Sequence, residues 1–209
     1  GYRSDVHFAA VVDALGGLDI KPLPAVINKP KPEKPKLTLS MDTIATWHDT
    51  MPQQRRAYWR QRGLTEATID RFLLGWDGKR YTIPALYRGI PFGVKRRQSD
   101  VDDGLEAKYV SITGSRVGIF NTDVLWTAQD VIICEGEIDC MLLCQAGYNA
   151  VTTTGGAGSW RDEWARFFAG VQRIYVLFDN DAPGRDGALK VRASLKRARI
   201  VEYPDGIKD

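Results

Sequence analysis

From Asp130 to the end of the chain, short runs rich in Val and Ile alternate with helical patterns, and this alternation constrains the fold more than any other feature. The apolar runs fall at 131–134, about 149–153, 173–179 and 199–203, with helices expected at about 137–146, 161–169 and 184–198. Continuous apolar strands separated by helices fit a parallel sheet covered on both faces. In such open sheets, ligands sit outside the carboxyl ends of the strands. Two acidic clusters lie there. Glu135-Gly136-Glu137-Ile138-Asp139 follows the first run, and Asp179-Asn180-Asp181 follows Ile174-Tyr175-Val176-Leu177-Phe178.

Carboxylates gathered at neighbouring strand ends repel one another and are costly to desolvate, and a divalent cation removes that penalty. Glu135, Asp139, Asp179 and Asp181 are therefore read as metal ligands for chemistry on phosphates, with water completing octahedral Mg²⁺ shells. The competing role for acids after strands is capping of the next helix. Glu137 is assigned to that role.

The earlier part of the chain reads differently. Residues 1–20 hold a short helical pattern ending at Gly16-Gly17, the expected tail of an upstream module. Residues 21–39 are rich in Pro and Lys, an extended linker. Opening on Gly1 rather than Met fits an internal fragment. Helices are expected from Ser40, over 53–62 and from Thr65, followed by strands at 81–87 and 90–97 around a Gly89 turn and a third at 108–112. Residues 40–128 thus form an expected small α+β unit, and residues 129–209 an α/β unit.

The chain has 209 residues and a formal charge of +3, too small by itself to argue for nucleic acid. The distribution says more: Arg55, Arg56, Arg60 and Arg62 form one basic group, Lys95, Arg96 and Arg97 a second, and 185–199 holds a third. No apolar run approaches the roughly 18 residues of a membrane span. The three cysteines, Cys134, Cys140 and Cys144, read as reduced core thiols of a cytosolic protein. Cys140 and Cys144 are one helical turn apart but have no second pair, so zinc is not expected. Gly155-Gly156-Ala157-Gly158-Ser159 lacks the Gly-Lys-Ser/Thr of a P-loop. It is either a phosphate-approaching loop or a plain βα turn. Trp160 and Trp164 are expected to pack on the sheet.

The acidic motif with its Met141-Leu142-Leu143 continuation, and Phe178-Asp179-Asn180-Asp181-Ala182-Pro183-Gly184-Arg185, resemble the two signatures of the Toprim fold. The Ala-Pro-Gly-Arg continuation points within that family to DNA primases. Trp59 to Ile69 resembles the helical entry to the basic subdomain of primase catalytic cores, and Lys108-Tyr109 resembles a pair placed beside nucleotide and template. Gly114 to Asn121 is similar to a loop of phage and plasmid primases, and the Glu-Gly-Glu-Ile-Asp wording is nearest to phage primase–helicases. Tyr203 to Asp209 resembles the segment that supplies further metal-binding acids, with Asp209 matching the first of them.

The resemblance implies an α/β fold with an α+β N-terminal part: a Toprim parallel sheet flanked by helices, preceded by a small basic mixed subdomain. It implies synthesis of short RNA primers from NTPs on single-stranded DNA with Mg²⁺ or Mn²⁺, two ions in all. Glu135 would act as general base or inner metal ligand, Asp179 and Asp181 as metal-holding catalytic residues, and Asp139 and Asp209 in support. Lys95, Arg96, Lys108, Tyr109, Arg116 and Arg185 would bind nucleotide or template. A replicative helicase, fused or separate, is the implied partner, and the bacterial cytosol or a phage-infected host the implied setting. The alternatives are a Toprim nuclease or topoisomerase, and a DNA-binding or helicase-coupling module without activity.

Overall fold

A computed structural model describes residues 38–102 and 104–203. The expected helix within 1–20, most of the 21–39 linker, and Asp209 lie outside the described residues.

Three short helices come first: α1 (Met41–Asp49), α2 (Gln53–Gln61) and α3 (Glu66–Arg71). Local chemistry sets their ends. The hydroxyl of Ser40 accepts the Thr43 N–H, and that of Thr65 accepts the Thr68 N–H, each satisfying a donor left open by the first helical turn. Gly63, at φ +88°, reverses the chain after α2.

A four-stranded antiparallel sheet follows, in the order β1 (Gly75–Trp76), β2 (Tyr81–Tyr87), β3 (Ile90–Arg97), β4 (Tyr109–Ser111). Arg88 and Gly89 both take positive φ, the geometry of a tight two-residue hairpin. The β3–β4 register sets Lys95 opposite Ser111 and Arg97 opposite Tyr109. β1 was not expected, because two residues carry no periodicity.

Arg80 fixes the approach to β4. Its side chain is fully buried, and its guanidinium donates to the carbonyls of Leu105 and Ala107 at 2.9 and 2.8 Å. Arg80→Met would remove both hydrogen bonds from a fully buried side chain, and is expected to lower unfolding free energy by about 3 kcal/mol, measured as a lower urea midpoint.

The second sheet has five strands in the order β5 (Ile119–Phe120), β7 (Ala150–Thr153), β6 (Asp130–Cys134), β8 (Arg173–Leu177), β9 (Arg199–Ile200). β6 to β9 are parallel, whereas β5 is an antiparallel edge strand. The four strands expected from the sequence form the parallel sheet, and β5 adds an antiparallel edge that was not expected. Helix α4 (Glu137–Gln145) joins β6 to β7, and α5 (Ala182–Ser194) joins β8 to β9.

Other boundaries also shift, for physical reasons. β8 stops at Leu177, before the expected 179, because the Asp179 N–H turns to the Glu135 carboxylate. α5 starts at Ala182 because Asp181 caps it and Pro183 suits the first turn. β9 ends at Ile200, which pairs with Val176, and the following Val201 N–H still donates to the Val176 carbonyl at 2.9 Å. The segment expected as a helix over 161–169 is a 3₁₀ helix, Asp162–Phe168, with no side-chain cap at Arg161 and with Trp164 and Phe168 both buried.

One face of the parallel sheet buries Val131, Ile133, Ile174 and Val176 under Val191 of α5 and the rings of Trp160, Trp164 and Phe168. The other face packs Ile138 and Met141 of α4 into a cluster shared with Trp59, Ile69, Leu74 and Ile83. Gln145 adds a polar tie between α4 and the loop at α3, accepting from the Thr65 N–H at 2.7 Å and donating to the Gly63 carbonyl at 2.9 Å. A shared core and this amide hold the antiparallel sheet beside the acidic strand ends.

Candidate active site

Glu135 is the first residue beyond β6. Gly136 begins α4, and its N–H donates to the Asp139 carboxylate at 3.1 Å. A Cβ at position 136 would lie 2.8 Å from that oxygen and push the carboxylate aside, so glycine leaves room for this hydrogen bond. The second cluster is built the same way. Asp181 caps α5 by accepting the Gly184 N–H at 2.7 Å, and a Cβ on Gly184 would fall 2.1 Å from the Asp179 carbonyl. Arg185 donates to the Asn180 carbonyl at 2.9 Å, pinning the turn from below.

The two clusters meet directly. The Glu135 carboxylate accepts the Asp179 backbone N–H at 3.1 Å. Desolvation pushes the Glu135 pKa up, and the charges of Asp179, Asp181 and Asp139 push it further, while the Asp179 N–H opposes them. Glu135, Asp139 and Asp181 each accept a backbone N–H through one carboxylate oxygen.

Opposite Glu135 and Asp139, Lys95, Tyr109 and Arg62 complete a cleft of about 460 Å³, whose floor includes Gly155 and Gly156. Gly156 has φ +82° and donates its N–H to Thr153, the geometry of a tight turn. The Tyr109 ring is ringed by cations, with Lys95, Arg97 and Lys108 at 5.4, 5.2 and 5.9 Å from its centroid. Arg96, next to Lys95 on β3, projects the other way and pairs with Asp77 at 3.2 Å. Alternation along a strand places one of two adjacent residues in the cleft, so Arg96 is not brought to it. Arg116 lines a small crevice beside the cleft, between Lys95 and Ser115.

Glu137 departs from its expected capping role. Its side chain is 7% exposed and forms an ion pair with Lys95, itself 17% exposed. The caps are Asp139 and Asp181, residues read from sequence as metal ligands. Arg62 and Arg97, named from the sequence only as members of basic groups, also stand at the site: Arg62 lines the cleft, and Arg97 bonds the Tyr109 hydroxyl and covers Tyr58 at 5.4 Å.

Residues 132–209 match the family model described as Toprim-like. A relative, the Gene 57 protein of Mycobacterium phage D29, is 33% identical over 111 residues, covering 53% of this chain and 72% of its own length. The chain belongs to the Toprim family. Its fold is that of primase catalytic cores. The primase of Aquifex aeolicus, solved with zinc-binding and RNA polymerase domains, superposes with a TM-score of 0.65 at 20% identity, covering 80% of this chain and 54% of that one. A DnaG primase catalytic domain bound to single-stranded DNA gives 0.63 at 21% identity, covering 80% and 71%. The Toprim chain thus spans about half the length of the Aquifex structure, and identities this low establish the fold alone.

Among the described residues, no three acidic, His or Cys side chains already converge on one point. The donor set of this Toprim site nonetheless fits a hard dication. It consists of anionic oxygens on two strand ends joined by the Asp179 N–H, where desolvation first and the neighbouring charges second raise Glu135. Among the same residues, no helix is long and apolar enough to cross a membrane.

Proposed function

We propose that the chain is the catalytic core of a DNA primase, joining ribonucleotides into short primers on single-stranded DNA in the cytosol of a bacterium or phage-infected cell. In this reading residues 40–128 are the basic template-facing subdomain and residues 129–209 the catalytic one. The observation that carries it is the contact of the Glu135 carboxylate with Asp179 across from the basic, aromatic wall of Lys95 and Tyr109. Acids that hold cations face cations that hold phosphates, as nucleotidyl transfer requires.

Glu135, Asp139, Asp179 and Asp181 would hold Mg²⁺ or Mn²⁺, with Asp209 in support. The bound metal would supply acidification of an attacking 3′-hydroxyl and neutralisation of charge on the leaving phosphates. The remaining roles fall to side chains. Glu135 would serve as the base that takes the hydroxyl proton or as an inner metal ligand. Arg62 and Lys108 offer their charges to phosphates of nucleotide or template, and Lys95, paired with Glu137, offers its remaining N–H donors to the triphosphate. The Tyr109 ring, flanked by cations, presents a stacking face to a base.

Incubating the protein with labelled NTPs, single-stranded template and Mg²⁺ is expected to yield short oligoribonucleotides. Nicked or degraded template without RNA product would contradict the proposal and indicate a nuclease.

A further inference from the structure

The Lys95–Glu137 pair ties the basic wall of the candidate site to the helix that follows its acidic one. Lys95 reaches from β3 of the antiparallel sheet, and Glu137 from the first turn of α4, so the pair joins the two sheets at the base of the cleft. Both groups line the cleft that also holds Glu135 and Asp139. A lysine in that cleft without Glu137 would share it with Glu135 and Asp139 and have no paired counter-charge of its own. Its ammonium would then compete with a dication for the same oxygens.

We infer that Glu137 is a positioning residue that neutralises Lys95 and holds its ammonium off Glu135 and Asp139, keeping those carboxylates open to divalent cations. This rests on the proposed cation cradle and assigns Glu137 no metal of its own. The inference follows from charge bookkeeping around a low-dielectric cleft. The ion pair contributes no net charge beside the cradle, whereas Lys95 alone contributes +1, which repels a dication and attracts its ligands. The Tyr109 ring over Lys95 favours the same ammonium position.

The test is Mn²⁺ binding to the full 209-residue chain, followed by electron paramagnetic resonance, with no substrate present. Glu137→Gln is expected to weaken Mn²⁺ binding by on the order of tenfold, because it uncovers one positive charge. The double variant Lys95→Met/Glu137→Gln removes both charges and is expected to bind within about twofold of wild type, since the net charge beside the cradle is restored. Equal binding by Glu137→Gln and wild type would overturn the inference, leaving the pair a tie between sheets. Binding by the double variant as weak as by Glu137→Gln would also overturn it, making Glu137 a metal ligand. Should circular dichroism show the single variant unfolded, the neutral double variant decides alone: binding near wild type sustains the inference and loss of binding ends it. Absence of Mn²⁺ binding in the wild type would instead overturn the cradle, and the inference with it.

Discussion

Glu135→Gln is expected to reduce primer synthesis by on the order of 10³-fold while leaving the fold at least as stable. The two effects separate because, in the proposed mechanism, Glu135 serves the chemistry while its ionised form costs stability. Its carboxylate is half-buried and faces the charges of Asp179, Asp181 and Asp139, so its folded pKa is raised. A raised carboxyl binds protons more readily folded than unfolded, so its ionised form destabilises the protein above the folded pKa. Neutral glutamine removes that repulsion, and the cation-free variant is expected to melt higher than wild type at neutral pH. The advantage should shrink as pH falls through the raised pKa toward the ordinary carboxyl range, where wild-type Glu135 is also protonated. Paired melting curves between neutral and weakly acidic pH would check this. An advantage that grew on acidification would reverse the assigned environment. Asp179→Asn is expected to lose synthesis to a similar degree.

Adding Mn²⁺ to the wild-type protein is expected to raise its melting temperature by about 5–10 °C at a hundredfold excess over Kd, corresponding to about 2.7 kcal/mol of preferential binding to the folded state. The gain should fall sharply in Glu135→Gln and in Asp179→Asn. An undiminished gain in both variants would place the bound ions elsewhere. The Glu135 prediction reads as relief of repulsion and this one as its neutralisation, so the two should trade off: a variant stabilised without metal should respond less to metal.

Much of this site was legible because acids immediately after Val/Ile runs are positioned by the strands themselves. The apolar runs placed β6 and β8 within a residue or two, and with them Glu135 and Asp179 at one sheet edge. Spacing alone did not distinguish ligands from caps. Asp139 and Asp181 turned out to cap helices with one oxygen, while Glu137, assigned as a cap, is buried against Lys95. That partner comes from a strand about forty residues away, and no local pattern encodes such a contact. Arg96 shows the opposite case: alternation along β3 already implied that it and Lys95 face opposite ways, and treating both as cleft residues overlooked that period. β1 and β5 were invisible because two-residue strands have no period, and they exist through pairing with β2 and β7. Arg80 gave no sequence signal, since a buried arginine is defined by the carbonyls that surround it.

The most direct measurement is anomalous diffraction from crystals soaked in Mn²⁺ and an NTP. Manganese peaks are expected within about 2.0–2.3 Å of carboxylate oxygens of Glu135 and of Asp179 or Asp181, with the triphosphate against Lys95. Peaks that avoid Glu135, or that touch only one of the two strand ends, would contradict a shared cation cradle and the nucleotidyl transfer proposed from it.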